Sequence, residues 1–312
     1  MANGVFMFKR IVLFGLTNIL VMVTLTTIVS VFGLWPTLTA NGFDYPSLAL
    51  FCLIWGMGGS VISLLMSRAS AKWSMGVELV SPDSPGEGGL LARAVHDLCQ
   101  RAGLRSMPQV GIYNSPEVNA FATGPTRSRS LVAVSSGLLR SMNRTELEGV
   151  LAHEIAHIKN GDMVTLTLLQ GVINAFTLFL SRIIAVVLTS QSRDNESRQG
   201  SAATGFVTVL LEMVLGFLGY LVVCWFSRYR EFRADSGSTT ISGTPLPMIQ
   251  ALQALQARVH DESAEHSGRL AAFKISGGGR SLMRLFSTHP PLEERIAKLL
   301  NASTPKGTSW SK

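Results

Sequence analysis

The sequence predicts a mostly helical α+β protein, integral to a membrane, whose soluble part is split by a second apolar hairpin. Three observations lead there. Only 15% of the 312 residues are charged and the mean hydropathy is +0.31, too apolar for an ordinary soluble domain. Long apolar runs come in two pairs, within residues 11–66 and 163–226. Between and after the pairs the chain turns polar, with helical periodicity and two short β-branched runs.

The first pair opens with Ile11 to Gly33, which carries no charge. At about 1.5 Å per residue it is long enough to cross roughly 30 Å of hydrocarbon. It exceeds the apolar core of a cleavable signal peptide, about 7–15 residues. No A-x-A-like site follows directly, so it reads as a retained anchor. Leu48 to Met66 is the returning span. Lys9 and Arg10 precede the pair, Arg68 and Lys72 follow it, and Leu34 to Ser47 holds neither Lys nor Arg. The basic ends belong in the cytoplasm. The net charge of +7 then fits anionic lipid beside these flanks. Nucleic acid is not an expected partner, because there is no recognition motif and no basic stripe with interleaved aromatics. Cys52, Cys99 and Cys224 form no C-x-x-C pair and read as free thiols.

In the next segment, Gly89 to Ala102 has apolar residues at helical spacing. Val110 to Tyr113 and Leu131 to Val134 are the β-branched runs and are expected to be strands. Asn143 and Glu146 fit a capping box, and Asn160-Gly161 fits a helix end. Between them Leu147, Val150, Leu151, Ile155 and Ile158 make one apolar stripe, so "LAHEIAHIKN" lies on a helix.

The second pair is Met163 to Thr189, with Gln170, Asn174 and Arg182, and Gly205 to Phe226, with Glu212. Polar Gln191 to Ala203 joins them as a loop. By the helical rise Arg182 lies about 12 Å below that loop and Glu212 at a similar depth, so the two are expected to pair. Arg228, Arg230 and Arg233 return the chain to the basic side. It stays helical through "RYREFRADS", breaks at Gly243 to Pro247, and continues as a helix from Pro247 to Val259. "DESAEHSG" and "SGGGR" read as flexible loops. A last helix starts after Pro290-Pro291. Four parts follow: an N-terminal hairpin (1–66), a first soluble part (67–162), a second, transmembrane hairpin (163–226) and a second soluble part (227–312).

The chemistry centres on H-E-x-x-H. Residues i and i+4 share a helix face, so His153 and His157 can aim two imidazoles at one point. Neutral imidazole suits zinc, and Glu154, beside the first ligand, can reach a water activated there without being a ligand. A catalytic site needs a third protein ligand and one open position. Asp162 is near but lies past the helix end, and Asp194 and Glu196 belong across the membrane. Glu231, just after the chain returns, is the best candidate. Asp235 lies one turn on, placed to accept the outer ring N–H of a ligating histidine.

"HEIAHIKNGDMVTLTLLQG", "SRYREFRADSGS", "NAFATG" and "THPPLEERI" resemble the HtpX family of bacterial heat-shock membrane zinc proteases. That family lies within a wider group of membrane zincins that includes the CAAX prenyl endopeptidases. The resemblance covers nearly the whole chain. It implies a zincin-like cytoplasmic metalloprotease domain in a multi-pass protein of the bacterial inner membrane. Its substrates would be unfolded, misfolded or unneeded membrane proteins, degraded in stress-related quality control. It implies one zinc ion per chain, with His153, His157 and Glu231 as ligands and Glu154 as the catalytic residue.

Further roles follow from position. Asn119 to Ala122 is the candidate edge on which an extended substrate would add as a strand, Asn119 gripping its backbone. His289, held before Pro290-Pro291, is a candidate transition-state stabiliser or resting-state ligand. Arg233 reads as an orienting residue and Tyr229 as helix packing. A membrane-anchored binding or chaperone protein with a structural zinc is the alternative. A transporter using Arg182 and Glu212 is a weaker one.

Overall fold

The computed structural model describes residues 44–190, 199–270 and 287–303, together with Thr27 and Val31. All of the expected first span but Thr27 and Val31 lies outside them, as do residues 191–198 and the "SGGGR" loop. Among the described residues the order is α1 (Tyr45–Met75), β1 (Glu78–Val80), α2 (Gly86–Arg101), β2 (Gln109–Tyr113), β3 (Ala120–Thr126), β4 (Arg129–Ser135), α3 (Ser136–Ser141), α4 (Arg144–Asn160), α5 (Asp162–Ser190), α6 (Gln199–Ser242), α7 (Leu246–Leu270) and α8 (Leu292–Ser303). They form two compact units, Met1–Ser63 with Leu166–Val223, and Leu64–Thr165 with Cys224–Lys312.

Among the described residues, three helices are long and apolar enough to cross a membrane: Pro46–Met75, Asp162–Thr189 and Ala203–Ser242. In the first unit Ala49 and Cys52 of α1 pack with Phe179, Ile183 and Val186 of α5. The α6 side chains Phe206, Leu210, Met213, Phe217 and Leu218 are exposed, an apolar surface suited to lipid. The expected ion pair is present. Arg182 Nη1 donates to Glu212 Oε1 at 2.9 Å and to the Leu178 carbonyl at 2.7 Å.

The second unit is built on a four-stranded sheet in the order β1-β2-β4-β3. β2 and β4 are parallel, and the two outer pairs are antiparallel. β4 is covered on both faces, which is why Leu131 to Val134 is a continuous apolar run rather than an alternating one. Val132 and Val134 join the main core, and Leu131 and Ala133 pack with Tyr113 and Phe121. β3 sits at the margin of the sheet.

α4 runs through the middle of this unit. Its capping box is formed, with Asn143 Oδ1 accepting from the Thr145 and Glu146 amides and Glu146 accepting from the Asn143 amide. Leu151, Ile155 and Ile158 are fully buried, and each such side chain contributes about 1.5–3 kcal/mol relative to exposure. A Cβ on Gly149 would lie 2.3 Å from the Pro247 carbonyl oxygen, so only glycine lets α7 pack this closely. Gly161, at φ 70°, ends α4 in a left-handed cap, and α5 starts at the next residue.

Two expected loops are helical. "DESAEHSG" belongs to α7, which runs to Leu270. Residues 261–267 contain Glu and Ala and no Gly or Pro, so nothing in them stops a helix already under way. Gln199 to Ala203, assigned to the joining loop, already forms the first turn of α6.

Candidate metal centre

α4 and α6 bring three ligand-type side chains together. His153 Nε2 and His157 Nε2 are 3.1 Å apart. Glu231 places Oε2 at 3.3 Å from the first and Oε1 at 3.4 Å from the second. One ligand atom from each lies within 4.8 Å of the others. All three residues are buried, Glu231 to 1% exposure.

The outer ring nitrogens face carboxylates. His153 Nδ1 is 3.0 Å from Asp235 Oδ1, and His157 Nδ1 is 2.7 Å from Asp162 Oδ2. A carboxylate can only accept, so each Nδ1 carries the proton and each Nε2 lone pair turns inward. Each carboxylate is in turn clamped by an arginine. Arg295 donates to both oxygens of Asp235, and Arg233 donates to Asp162 Oδ1.

The donor set fits a divalent cation. Both Glu231 oxygens are buried, and neither makes a hydrogen bond of acceptable geometry among the described residues. Arg230 and Arg295 come no nearer to them than 3.6 and 3.9 Å. Leaving a buried carboxylate in this state is costly. Two inward lone pairs and an anionic carboxylate answer that cost when a cation sits among them.

Without a cation, protons take its place. Burial alone would lower both imidazoles, but the carboxylates outweigh it. Asp235 and Glu231 raise His153, while Asp162 and Glu231 raise His157 to about 9. Burial would raise Glu231, yet His153, His157 and His289 hold it far below the ordinary carboxylate range. Asp235 is likewise lowered, Arg295 and His153 outweighing its burial.

A cavity of about 270 Å³ opens onto this cluster, lined by Asn119, Ala120, Phe121 and Ala122 at the sheet margin, by Glu154 and Arg230, and by His289. Asn119 is fastened to β4 through its amide, which donates to Ser135 Oγ at 3.1 Å. His289 places Nδ1 at 3.0 Å from Glu231 Oε2. Tyr229 is exposed and stacks on Trp225, away from these contacts. Two participants were missed in the sequence. Asp162 was set aside as lying past the helix end, yet the left-handed turn at Gly161 sends its carboxylate back to His157. Arg295 in "LEERI" is the other, because a buried arginine has no local signature in sequence.

The family model for Peptidase family M48 matches residues 87–303. The chain belongs to peptidase family M48. Three relatives, each described as a protease HtpX homolog, agree along almost the entire length. That of Chlorobium phaeovibrioides is 49% identical over 296 residues, covering 94% of this chain and 99% of the relative. That of Methylacidiphilum infernorum is 49% identical over 298 residues, covering 94% and 98%. That of Paracidovorax citrulli is 47% identical over 296 residues, covering 94% and 99%. The crystal structure of S. mikatae Ste24p shares the fold, with a TM-score of 0.53 at 17% identity over 92% of this chain and 66% of that one. The HtpX-type M48 chain described here is a membrane metalloprotease that hydrolyses peptide bonds.

Proposed function

We propose that this M48 protease is a zinc-dependent endopeptidase of the bacterial inner membrane, with its active site on the cytoplasmic side. It degrades misfolded or unneeded membrane proteins in stress-related quality control. The observation that carries the site assignment is the convergence of His153 Nε2, His157 Nε2 and a Glu231 carboxylate lacking hydrogen bonds of its own. These three hold the metal. Residues 67–162 and 227–312 supply the two halves of the protease domain, and 1–66 and 163–226 form its two membrane hairpins.

Zinc bound there supplies the Lewis acidity that polarises the scissile carbonyl and makes a water acidic. The chain's own residues do the rest. The Glu154 carboxylate, on the cavity wall beside His153, takes the proton from the attacking water and delivers it to the leaving amine. Asp235 and Asp162 hold the two imidazoles in the tautomer that leaves Nε2 free. The margin strand β3 accepts substrate as an additional strand, with Asn119 gripping its main chain, which suits substrates that are unfolded rather than of one sequence. His289 also lines the cavity, beside Glu231, either to stabilise the developing oxyanion or to act as a further ligand in a resting state.

Zinc content and casein cleavage, measured for the detergent-purified chain and its Glu154→Gln variant, test this reading. Zinc in both, with kcat lower by about 10²–10⁴-fold in the variant, is the expected result. Zinc in both with cleavage in neither would sink the resting-active reading and point to a structural or latent site, with His289 the next residue to change. Absence of zinc from both would overturn the ligand assignment.

A further inference from the structure

Arg295 lies on α8, 60 residues beyond Asp235 and 142 beyond His153, yet it meets both. Its Nε donates to Asp235 Oδ2 at 2.8 Å and its Nη2 to Asp235 Oδ1 at 2.6 Å. Asp235 Oδ1 also lies 3.0 Å from His153 Nδ1, so one oxygen accepts from the guanidinium and from the ring. Arg295 is 6% exposed.

We propose that Arg295 is a positioning residue of the metal centre, acting through Asp235 to fix the orientation and tautomer of His153. The proposal rests on the reading of His153 as a metal ligand. An aspartate bonded to a histidine alone can turn about its terminal torsion and carry the ring with it. A two-pronged guanidinium claims both oxygens and fixes the carboxylate plane.

Holding α8 in place does not require this pair. Lys298 Nζ sits over the Phe232 ring of α6 at 3.2 Å, and Gln256 of α7 donates to Glu293 at 3.0 Å. Leu299 is buried among Met248, Ile249 and Leu252. A buried ion pair is in itself weak support for stability, because desolvation offsets the attraction. The other clamp is different: the Arg233 side chain is 44% exposed against 7% for Arg295, so water can replace it at Asp162.

The test uses the full-length chain in detergent with Zn²⁺ or Co²⁺ alone as the probe. Arg295→Lys keeps the charge and loses the fork; Arg295→Met loses both. Zinc release into a chelator, the visible absorption of the Co²⁺ form, and unfolding of the metal-free chain are measured for each. Arg295→Lys is expected to lose zinc about 10–100-fold faster and to alter the Co²⁺ spectrum, lowering kcat at unchanged KM. In an Asp235→Asn background the same change should add nothing. Wild-type zinc release with a wild-type Co²⁺ spectrum in Arg295→Lys would overturn the proposal. So would zinc loss fully matched by destabilisation of the metal-free chain. Should Arg295→Met fail to fold, Arg295→Lys decides. A wild-type chain that binds neither metal would refute the ligand assignment itself, a different failure from Arg295 variants that keep their zinc.

Discussion

Two charged clusters in this protein, Arg182–Glu212 and the one around Glu231, answer the same problem differently. In the apolar unit, Arg182 and Glu212 form a single pair 2.9 Å apart, one positive and one negative charge. In the other unit, Asp235 and Asp162 each have an arginine, while Glu231 faces the imidazoles of His153, His157 and His289 and, among the described residues, makes no hydrogen bond of acceptable geometry. The first cluster is complete as it stands. The second is complete only with protons or a cation. What separates a structural ion pair from a binding centre here is the balance of charge and hydrogen bonds, rather than the presence of buried charge.

The sharpest way to break this contrast is to neutralise one carboxylate in each cluster. Glu231→Gln should abolish stoichiometric zinc and lower casein cleavage by more than about 10²-fold, the scale of losing a metal-assisted step. Glu212→Gln should leave the zinc content at one per chain. Elemental analysis of both proteins checks this, and equal zinc in the two would erase the distinction.

Acidity sharpens the comparison next. In the metal-free chain the His157 pKa is raised to about 9, above an unfolded value of about 6.5. Its contribution to stability is therefore full below about pH 6.5 and is lost as pH rises through about 9. Zinc must displace that proton, so its affinity should rise across the same window. Denaturation of the metal-free chain and chelator competition, each followed from pH 6 to 9, should move in opposite directions. A metal-free stability that stays flat over this range would remove the protonated state from the picture.

The smallest effect belongs to the completed pair. A double-mutant cycle with Arg182→Met and Glu212→Gln should give a coupling of about 1 kcal/mol in unfolding from detergent. Strict additivity would mean that the two side chains reach the lipid–water boundary separately.

How much of this was legible in the sequence follows physical range. The helix bearing His153 and His157 was legible from both ends, because a capping box and a left-handed glycine are local signals. The β-branched runs Val110 to Tyr113 and Leu131 to Val134 announced two strands, which extend to 109–113 and 129–135. Arg182 and Glu212 could be matched by counting helical rise. Glu231 was legible as the carboxylate that follows the chain's return to the basic side, and Asp235 as the one a turn further on the same helix. Asp162 was not, since a reversal at one glycine determines where its side chain lands. Arg295 was not, since its partners are set by the packing of α8, which no short window contains. The helical ending of α7 was not legible, because Ser, Asp and Gly signal a loop locally while no true stop precedes Gly268.

Among the described residues β3 is an edge of the sheet, paired only with β4. A strand edge offers amides and carbonyls, and every polypeptide has these in the same spacing. Such an edge is blind to spelling: it reports whether a chain is extended and unpaired, not which residues it contains. Folded proteins have already spent those groups on their own ladders and helices. On the proposed reading, in which substrate adds at this margin, the protease would carry no lexicon of victims, and a client would escape it by folding.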